Sequence, residues 1–247
     1  MRSSVELSAP GVHEFRDEQD SLISRAEAPQ PFALQLSGLC KQFSDKLVMD
    51  HAELCVPDRC VFGLVGPAGA GKTTLWSMSV GLLPPDQGDV RIFGMDMWSE
   101  PARAKAVLGA LPDEPSIPDH WTGRDWLTSV AMWNGLDPVK LAVRAEQLLG
   151  LWDLTEAETT LVREYSTSLR KKMGLVVALL PSPRLLMLDD PFVGVDAESA
   201  EMMQEMLRSY VDDGGTVVLS TEAEDLAEEA CDDAAVIVDG RLFPGRC

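Results

Sequence analysis

The chain has 247 residues, room for one full core, and its hydrophobic (45%) and charged (25%) fractions are those of a globular domain. Against 40 Asp and Glu stand 21 Lys and Arg, a net charge of −19, which excludes wrapping of nucleic acid and binding to an anionic lipid surface. The longest uninterrupted apolar run, Met173–Leu180, has eight residues, too few to span a bilayer, and no apolar stretch near the start reads as a signal peptide. The expectation is a cytoplasmic protein with no membrane insertion of its own.

Residues 1–31 are rich in Ser, Pro, Glu and Asp without periodicity and are predicted to form a disordered tail. Order begins at Phe32, where FALQLSGL alternates like a strand; HAELCV, ending at Pro57, is a second strand. CVFGLV (60–65) is apolar throughout, as a strand buried on both faces must be. A glycine-rich turn, Gly66–Gly71, leads into KTTLWSMSVGL, which has helical spacing until Pro84-Pro85. GDVRIF (88–93) reads as another strand.

From about 98 to 165 the pattern turns helical. DWLTSVAMWNGL sets Trp126, Val130 and Trp133 on one face, and the tryptophans at 121, 126 and 133 are assigned to a core ahead of a docking surface. A helix from Leu169 to Leu180 follows, then strand RLLMLDD (184–190), helix AESAEMMQEMLRSYV, strand TVVLS (216–220), an acidic helix (222–231) and strand AAVIVDG. Residues 184–240 carry 16 acidic and two basic side chains, read as a solvated face. The repeat of strand and helix defines an α/β fold with a mainly parallel sheet flanked by helices.

Cys40, Cys55, Cys60, Cys231 and Cys247 form no CxxC pair, and His13, His51 and His120 are scattered, so these residues build no metal site. Cys55 and Cys60 flank a turn; small core residues in a reducing compartment is the favoured reading over a close pair.

GPAGAGKTT (66–74) fits G-x-x-x-x-G-K-[ST] after a buried strand and at a helix start. Its glycines let backbone N–H groups curl around an anion, and the helix N-terminus adds partial positive charge. Lys72 supplies a cation for the β- and γ-phosphates, and the Thr73 hydroxyl can ligate Mg²⁺. At the end of strand RLLMLDD, Asp189 is placed to hold the metal's second shell and Asp190 to reach an attacking water.

With these motifs in order, residues 32–243 resemble the nucleotide-binding subunit of ABC transporters. KQF (41–43) is similar to the loop whose aromatic, Phe43, stacks on adenine; GPAGAGKTT is similar to Walker A, LPDEP (111–115) to the Q-loop, and YSTSLRKKMGL (165–175) to the signature. LLMLDDP (185–191) resembles Walker B, FVGVD (192–196) the D-loop and LSTE (219–222) the switch loop; GLLPPDQGDVRIFGMDMW and WTGRDWL resemble the bacterial exporter branch. The resemblance implies a P-loop NTPase of ABC type over 32–247, with an N-terminal antiparallel β lobe and a helical lobe at about 98–165. It also implies ATP and Mg²⁺ as cofactors, and contact of Gly66, Pro67, Ala68, Gly69, Ala70, Gly71, Lys72, Thr73 and Thr74 with the phosphates. Thr73, Asp189 and Asp113 become candidate metal ligands, Asp190 and Glu222 candidate catalytic residues, and Ser166 a contact to the ATP of a partner subunit. The implied partners are an integral-membrane subunit and a second ATP-binding subunit, in a homo- or heterodimer, which puts the chain at the inner face of the cell membrane.

Five positions, in four motifs, depart from the family. Asp113 stands where Gln is usual, Thr167 and Ser168 where the signature has glycines, Asp190 where Walker B has Glu, and Glu222 where the switch histidine falls. A Cβ at Ser168 holds the backbone off a phosphate, and Asp190 is one methylene short. Glu222 puts negative charge beside a phosphate: two unit charges about 4 Å apart repel by roughly 4 kcal/mol at a surface-like dielectric. Arg170-Lys171-Lys172 is assigned to an exposed helix edge. The reading is an exporter's ATP-binding subunit with slow hydrolysis; the alternative is a catalytically impaired, regulatory or structural partner in a heterodimer. A ribosome- or DNA-directed ABC ATPase is disfavoured by the acidic balance and the single cassette.

Overall fold

The computed structural model describes residues 32–134 and 137–244. The tail assigned to 1–31, with His13, and Cys247 lie outside the described residues.

Alternating apolar and polar residues make β1 (Phe32–Phe43) and β2 (Lys46–Pro57) an antiparallel pair. β2 starts well before HAELCV. Its register against β1 shifts repeatedly and His51 has a φ of 47°, so the period of two is interrupted there. With β4 (Gln87–Ile92) and β5 (Met95–Asp96) these strands form a sheet in the order β2-β1-β4-β5.

The second sheet runs β10-β9-β3-β8-β7-β6. It contains β3 (Val61–Val65), β6 (Leu108–Leu111), β7 (Leu185–Leu188), β8 (Thr216–Thr221), β9 (Asp233–Val238) and β10 (Arg241–Pro244). Only β10 is antiparallel to its neighbour. A parallel strand is covered on both faces, which is why β3 is apolar at every position. Phe62 and Leu64 enter the core shared with the antiparallel sheet and α1 (Lys72–Ser79). Val61 and Val65 enter the opposite core, formed with α3 (Gly123–Trp133), α4 (Pro138–Leu151), α5 (Thr167–Leu179) and α6 (Ala197–Asp212). Two short helices, α2 (Pro101–Ala106) and α7 (Glu224–Ala230), precede β6 and β9.

The stretch read as helical from about 98 is helical only in part. After α2 the chain enters β6, which pairs with β7 and forms the edge of the parallel sheet. Four residues, one of them glycine, gave no period to detect. Gly109 is there because α5 and the segment after it come so close: a Cβ would sit 2.4 Å from the Ala178 carbonyl oxygen and 2.8 Å from Pro183 Cγ. In α3, Trp126 is buried and Val130 packs on the core, but Trp133 is 76% exposed; Trp121 is partly buried. One face of a single helix therefore does not place all three tryptophans inside.

Cys40, Cys55 and Cys60 carry free thiols. Cys40 and Cys231 are buried, but Cys55 lies on the exposed face of β2, contrary to its assignment as a core residue. Cys60 is partly buried, and desolvation, reinforced by Asp232, Asp233 and Asp58, pushes its thiol up to about 11.

Gly109→Val should overpack the β6–α5 contact and lower unfolding stability by about 1–3 kcal/mol, read from urea denaturation of the nucleotide-free protein.

Candidate nucleotide-binding site

Parallel strands end together, and their carboxyl ends form the edge where loops can converge on a ligand. Val65 of β3 lies opposite Thr221 of β8; Leu188 of β7 lies opposite Leu219 of β8 and Leu111 of β6. The residues that follow those strand ends are Gly66, Glu222, Asp189 with Asp190, and, one residue beyond Pro112, Asp113.

The Gly66–Gly71 turn is fixed from behind. A Cβ on Gly66 would stand 2.5 Å from the Ile237 carbonyl oxygen, and one on Gly71, whose φ is 111°, 3.0 Å from the Val48 carbonyl oxygen. Ala70 N donates to the Pro67 carbonyl at 3.1 Å, and Gly240 N donates to the Ala70 carbonyl at 3.2 Å. Gly69 (φ 77°) faces open space, and Pro67, Ala68 and Thr73 are exposed at the mouth of the turn. Thr74 is partly buried one residue further into α1.

Lys72 is 5% exposed. Its Nζ donates to the Gly66 carbonyl at 2.8 Å, to the Pro67 carbonyl at 3.3 Å and to Glu222 Oε1 at 3.4 Å. The Glu222 carboxylate therefore turns toward the cation of the glycine turn.

Asp189 is 0% exposed. Its Oδ1 accepts from Ser220 Oγ at 2.6 Å, its N donates to the Leu111 carbonyl at 2.8 Å, and its Oδ2 is buried without a hydrogen-bond partner. Asp190 has a left-handed φ of 41°; its N donates to Ser220 Oγ at 2.9 Å, and its buried Oδ1 also has no partner. Burial raises the Asp190 carboxyl above the usual range; Lys72 pulls it down, while Asp189, Asp113 and Glu222 push it further up. These mutual influences mark four carboxyl groups and one ammonium gathered at one edge of the sheet. Two buried carboxylate oxygens left unpaired are costly, and their cost is relieved by a cation or a water. Among the described residues no three His, Cys, Asp or Glu side chains are arranged to hold a metal unaided. A divalent ion here would need ligands from the nucleotide, the usual arrangement for Mg²⁺.

Lys171 departs most from expectation. Far from an exposed helix edge, it is 2% exposed, and its Nζ donates to Asp113 Oδ1 and to the Asp190 carbonyl, both at 2.7 Å. Arg170 is partly buried too and donates to the Val162 carbonyl at 3.0 Å. A signal for Lys171 was present: Gly174, Leu175 and Ala178 stand three, four and seven residues on, so it lies on the buried stripe of α5. Ser220, which links Asp189 to Asp190, left no such trace.

At the start of α5, Ser166 Oγ accepts from Leu169 N at 3.1 Å, the standard helix cap. Ser168 Oγ donates to Asp196 Oδ2 at 2.8 Å. Asp196 caps α6 through Ser199 N, and that bond, with those from Ser168 and the Ser199 hydroxyl, lowers its carboxyl to about 2. Thr167 leans on the same segment; a Cβ at Gly194 would come within 2.7 Å of its methyl group. Thr167 and Ser168 thus both pack against the 192–196 segment of their own chain. Phe43 stands apart, 46% exposed at the tip of the β1–β2 hairpin, with Lys41 Nζ 5.7 Å from its ring centroid.

A glycine cradle ending in a buried lysine, beside strand-end aspartates, defines a P-loop nucleotide-binding domain. Comparison with known proteins narrows the class. The ABC transporter family model matches residues 49–193, and the chain belongs to that family. It is 33% identical over 211 residues to the daunorubicin/doxorubicin resistance ATP-binding protein DrrA of Streptomyces peucetius, covering 85% of this chain and 64% of that protein. It is 30% identical over 228 residues to the Nod factor export ATP-binding protein I of Sinorhizobium fredii, covering 92% and 66% respectively. The chain thus spans just under two thirds of the length of these two relatives. Among solved structures, an ATP-binding subunit of an ABC transporter superposes with a TM-score of 0.79 at 25% identity, covering 85% of this chain and 88% of that one. A nucleotide-free ATP-binding cassette gives 0.76 at 21% identity, covering 87% and 92%. Domains of this family bind nucleotide, and no helix among the described residues is long and apolar enough to cross a membrane.

Because burial raises the Asp190 carboxyl, the folded state pays a penalty that is absent at low pH, where the folded and unfolded forms are both protonated, and complete at neutral pH. Asp190→Asn, a residue that tolerates a left-handed φ, should melt higher than the parent at about pH 7 in EDTA. The gap should close as pH falls toward about 3, below the free carboxylate range.

Proposed function

We propose that the chain is the ATP-binding subunit of an ABC exporter, binding Mg·ATP at the carboxyl edge of the parallel sheet and hydrolysing it slowly. The observation that carries this is the buried ammonium of Lys72, seated behind a glycine turn and beside two aspartates with unpaired oxygens. In this reading Phe43 stacks on adenine, and the turn Gly66, Pro67, Ala68, Gly69, Ala70, Gly71, Lys72, Thr73 and Thr74 surrounds the phosphates, with every residue but Pro67 able to offer a backbone N–H. The Thr73 hydroxyl and Asp189 hold Mg²⁺, which when bound neutralises charge on the β- and γ-phosphates. Asp190 offers its unpaired Oδ1 to the attacking water, and the Asp113 loop faces a separately encoded membrane subunit. Ser166 is presented to the nucleotide of a second ATP-binding subunit. The chain then sits in the cytoplasm, peripheral to the inner face of the membrane; export is supported by the relatives named for drug resistance and Nod factor export.

Glu222 occupies Lys72 before any phosphate arrives, so nucleotide must displace it. Titration calorimetry with Mg·ATP should show binding by the parent chain and none by Lys72→Ala. Glu222→Gln should bind about tenfold tighter, a modest part of the full Coulomb cost because the Glu222 side chain is 53% exposed and screened. Absence of heat and of thermal protection in the parent chain would overturn the nucleotide reading.

A second reading is favoured by one observation. Ser168 and Thr167 are engaged with Asp196 and Gly194 of their own chain, and a Cβ at each holds the helix start away from a facing phosphate. On this reading the chain is the impaired half of a heterodimer, whose partner supplies the better catalytic residues. An Asp190→Glu, Glu222→His double variant decides: turnover rising by about a hundredfold identifies a damaged motor, whereas unchanged turnover with intact partner assembly identifies the impaired half.

A further inference from the structure

We propose that Lys171 is a positioning residue of the ATPase site, a clamp through which the loop of Asp113 controls the backbone of Asp190. The proposal rests on the ATPase reading above and assigns a role to a residue outside the nucleotide motifs.

A lysine that is 2% exposed is held in place only by charge and hydrogen bonding. Lys171 satisfies both with two short bonds, to Asp113 Oδ1 and to the Asp190 carbonyl, each 2.7 Å. It thereby joins three elements: α5, whose first turn carries the signature; the loop after β6; and the turn after β7. Asp190 is held at both of its backbone ends, its amide by Ser220 Oγ at 2.9 Å and its carbonyl by Lys171 at 2.7 Å and, at longer range, by Val193 N at 3.3 Å. Its left-handed φ of 41° is unfavourable for a residue with a Cβ and persists only when the surroundings enforce it. Without Lys171 the carbonyl keeps only the longer bond from Val193 N, and the side chain that would address water shifts with the loosened peptide.

The clamp is also poised to respond. The Asp113 side chain is 44% exposed while that of Lys171 is 3% exposed, so a partner that engages the loop can draw off the carboxylate but cannot reach the ammonium. Lys171 is then left with the Asp190 carbonyl as its remaining anchor, and the four carboxyl groups of the site lose their balance with two cations. The Asp at a position where the family usually has Gln gains a physical reason: a buried ammonium requires a full countercharge.

The test uses full-length Lys171→Met, Lys171→Arg, Asp113→Asn and the Lys171→Met, Asp113→Asn double variant. Steady-state Mg·ATP turnover should show kcat for Lys171→Met down by about tenfold or more with KM within about twofold, since a displaced group near the reacting atoms costs rate rather than binding. Lys171→Arg should recover most of the rate, and the double variant should be no worse than Lys171→Met, because the two residues act as one unit. Hydrogen exchange without nucleotide should rise in both segments, 112–118 and 189–194, for Lys171→Met and for Asp113→Asn. Asp113→Asn sits on an exposed loop and keeps the test decisive if Lys171→Met folds poorly. Equal loss in kcat and in binding, additive effects in the double variant, or Asp113→Asn exchange confined to 112–118 would each overturn the clamp. Failure of the parent chain to bind ATP would overturn the ATPase reading instead, and the exchange result, read without nucleotide, is independent of it.

Discussion

A buried ammonium has to be surrounded by oxygen, and this fold places two of them at the carboxyl edge of one parallel sheet. Lys72 finds the carbonyls of Gly66 and Pro67 and the carboxylate of Glu222; Lys171 finds Asp113 and the Asp190 carbonyl. Removing charge from water is expensive, so each partner is held within hydrogen-bonding reach. That requirement makes the loops after β3, β6, β7 and β8 depend on one another, although they are far apart in sequence.

The arrangement explains how the departures from the family pattern coexist. Asp113 and Glu222 each put a carboxylate where a neutral polar side chain is usual, and each lies against a lysine. Asp190, between them, has no such cation bonded to its side chain, and its carboxyl is the one that burial and like charge drive upward. The acidic substitutions are therefore unequal: two are neutralised within the chain, and the third keeps an unpaired oxygen facing the site. At the signature, Ser168 finds its partner in Asp196, so the extra hydroxyl is satisfied internally too.

Much of this was legible in the sequence, for identifiable reasons. The phosphate loop declares itself because glycine spacing, a lysine and a flanking apolar strand coincide; β3 and β7 because strands covered on both faces are apolar throughout, and β8 through its apolar run Val217–Leu219. β6 escaped since four residues including Gly109 hold no period, and β2 lost its first half where His51 breaks the alternation. The exposure of Trp133 could not be read from helical spacing, which gives the face of a residue but not where along the helix the neighbours stop. The charge of Lys171 argues for solvent while its place on the α5 stripe points inward, and only the tertiary arrangement supplies the carboxylate that makes burial tolerable.

The backing of the glycine turn has a bearing on biosynthesis. Gly66 packs over the Ile237 carbonyl, and the Ala70 carbonyl accepts from Gly240, so the cradle is propped by the ninth strand and the bend after it. A ribosome delivers those props long after the cradle itself has left the exit tunnel. During translation the phosphate-binding segment therefore has the backing of Val48 but not yet that of Ile237 and Gly240, which is completed only when the final parallel strand pairs with β3.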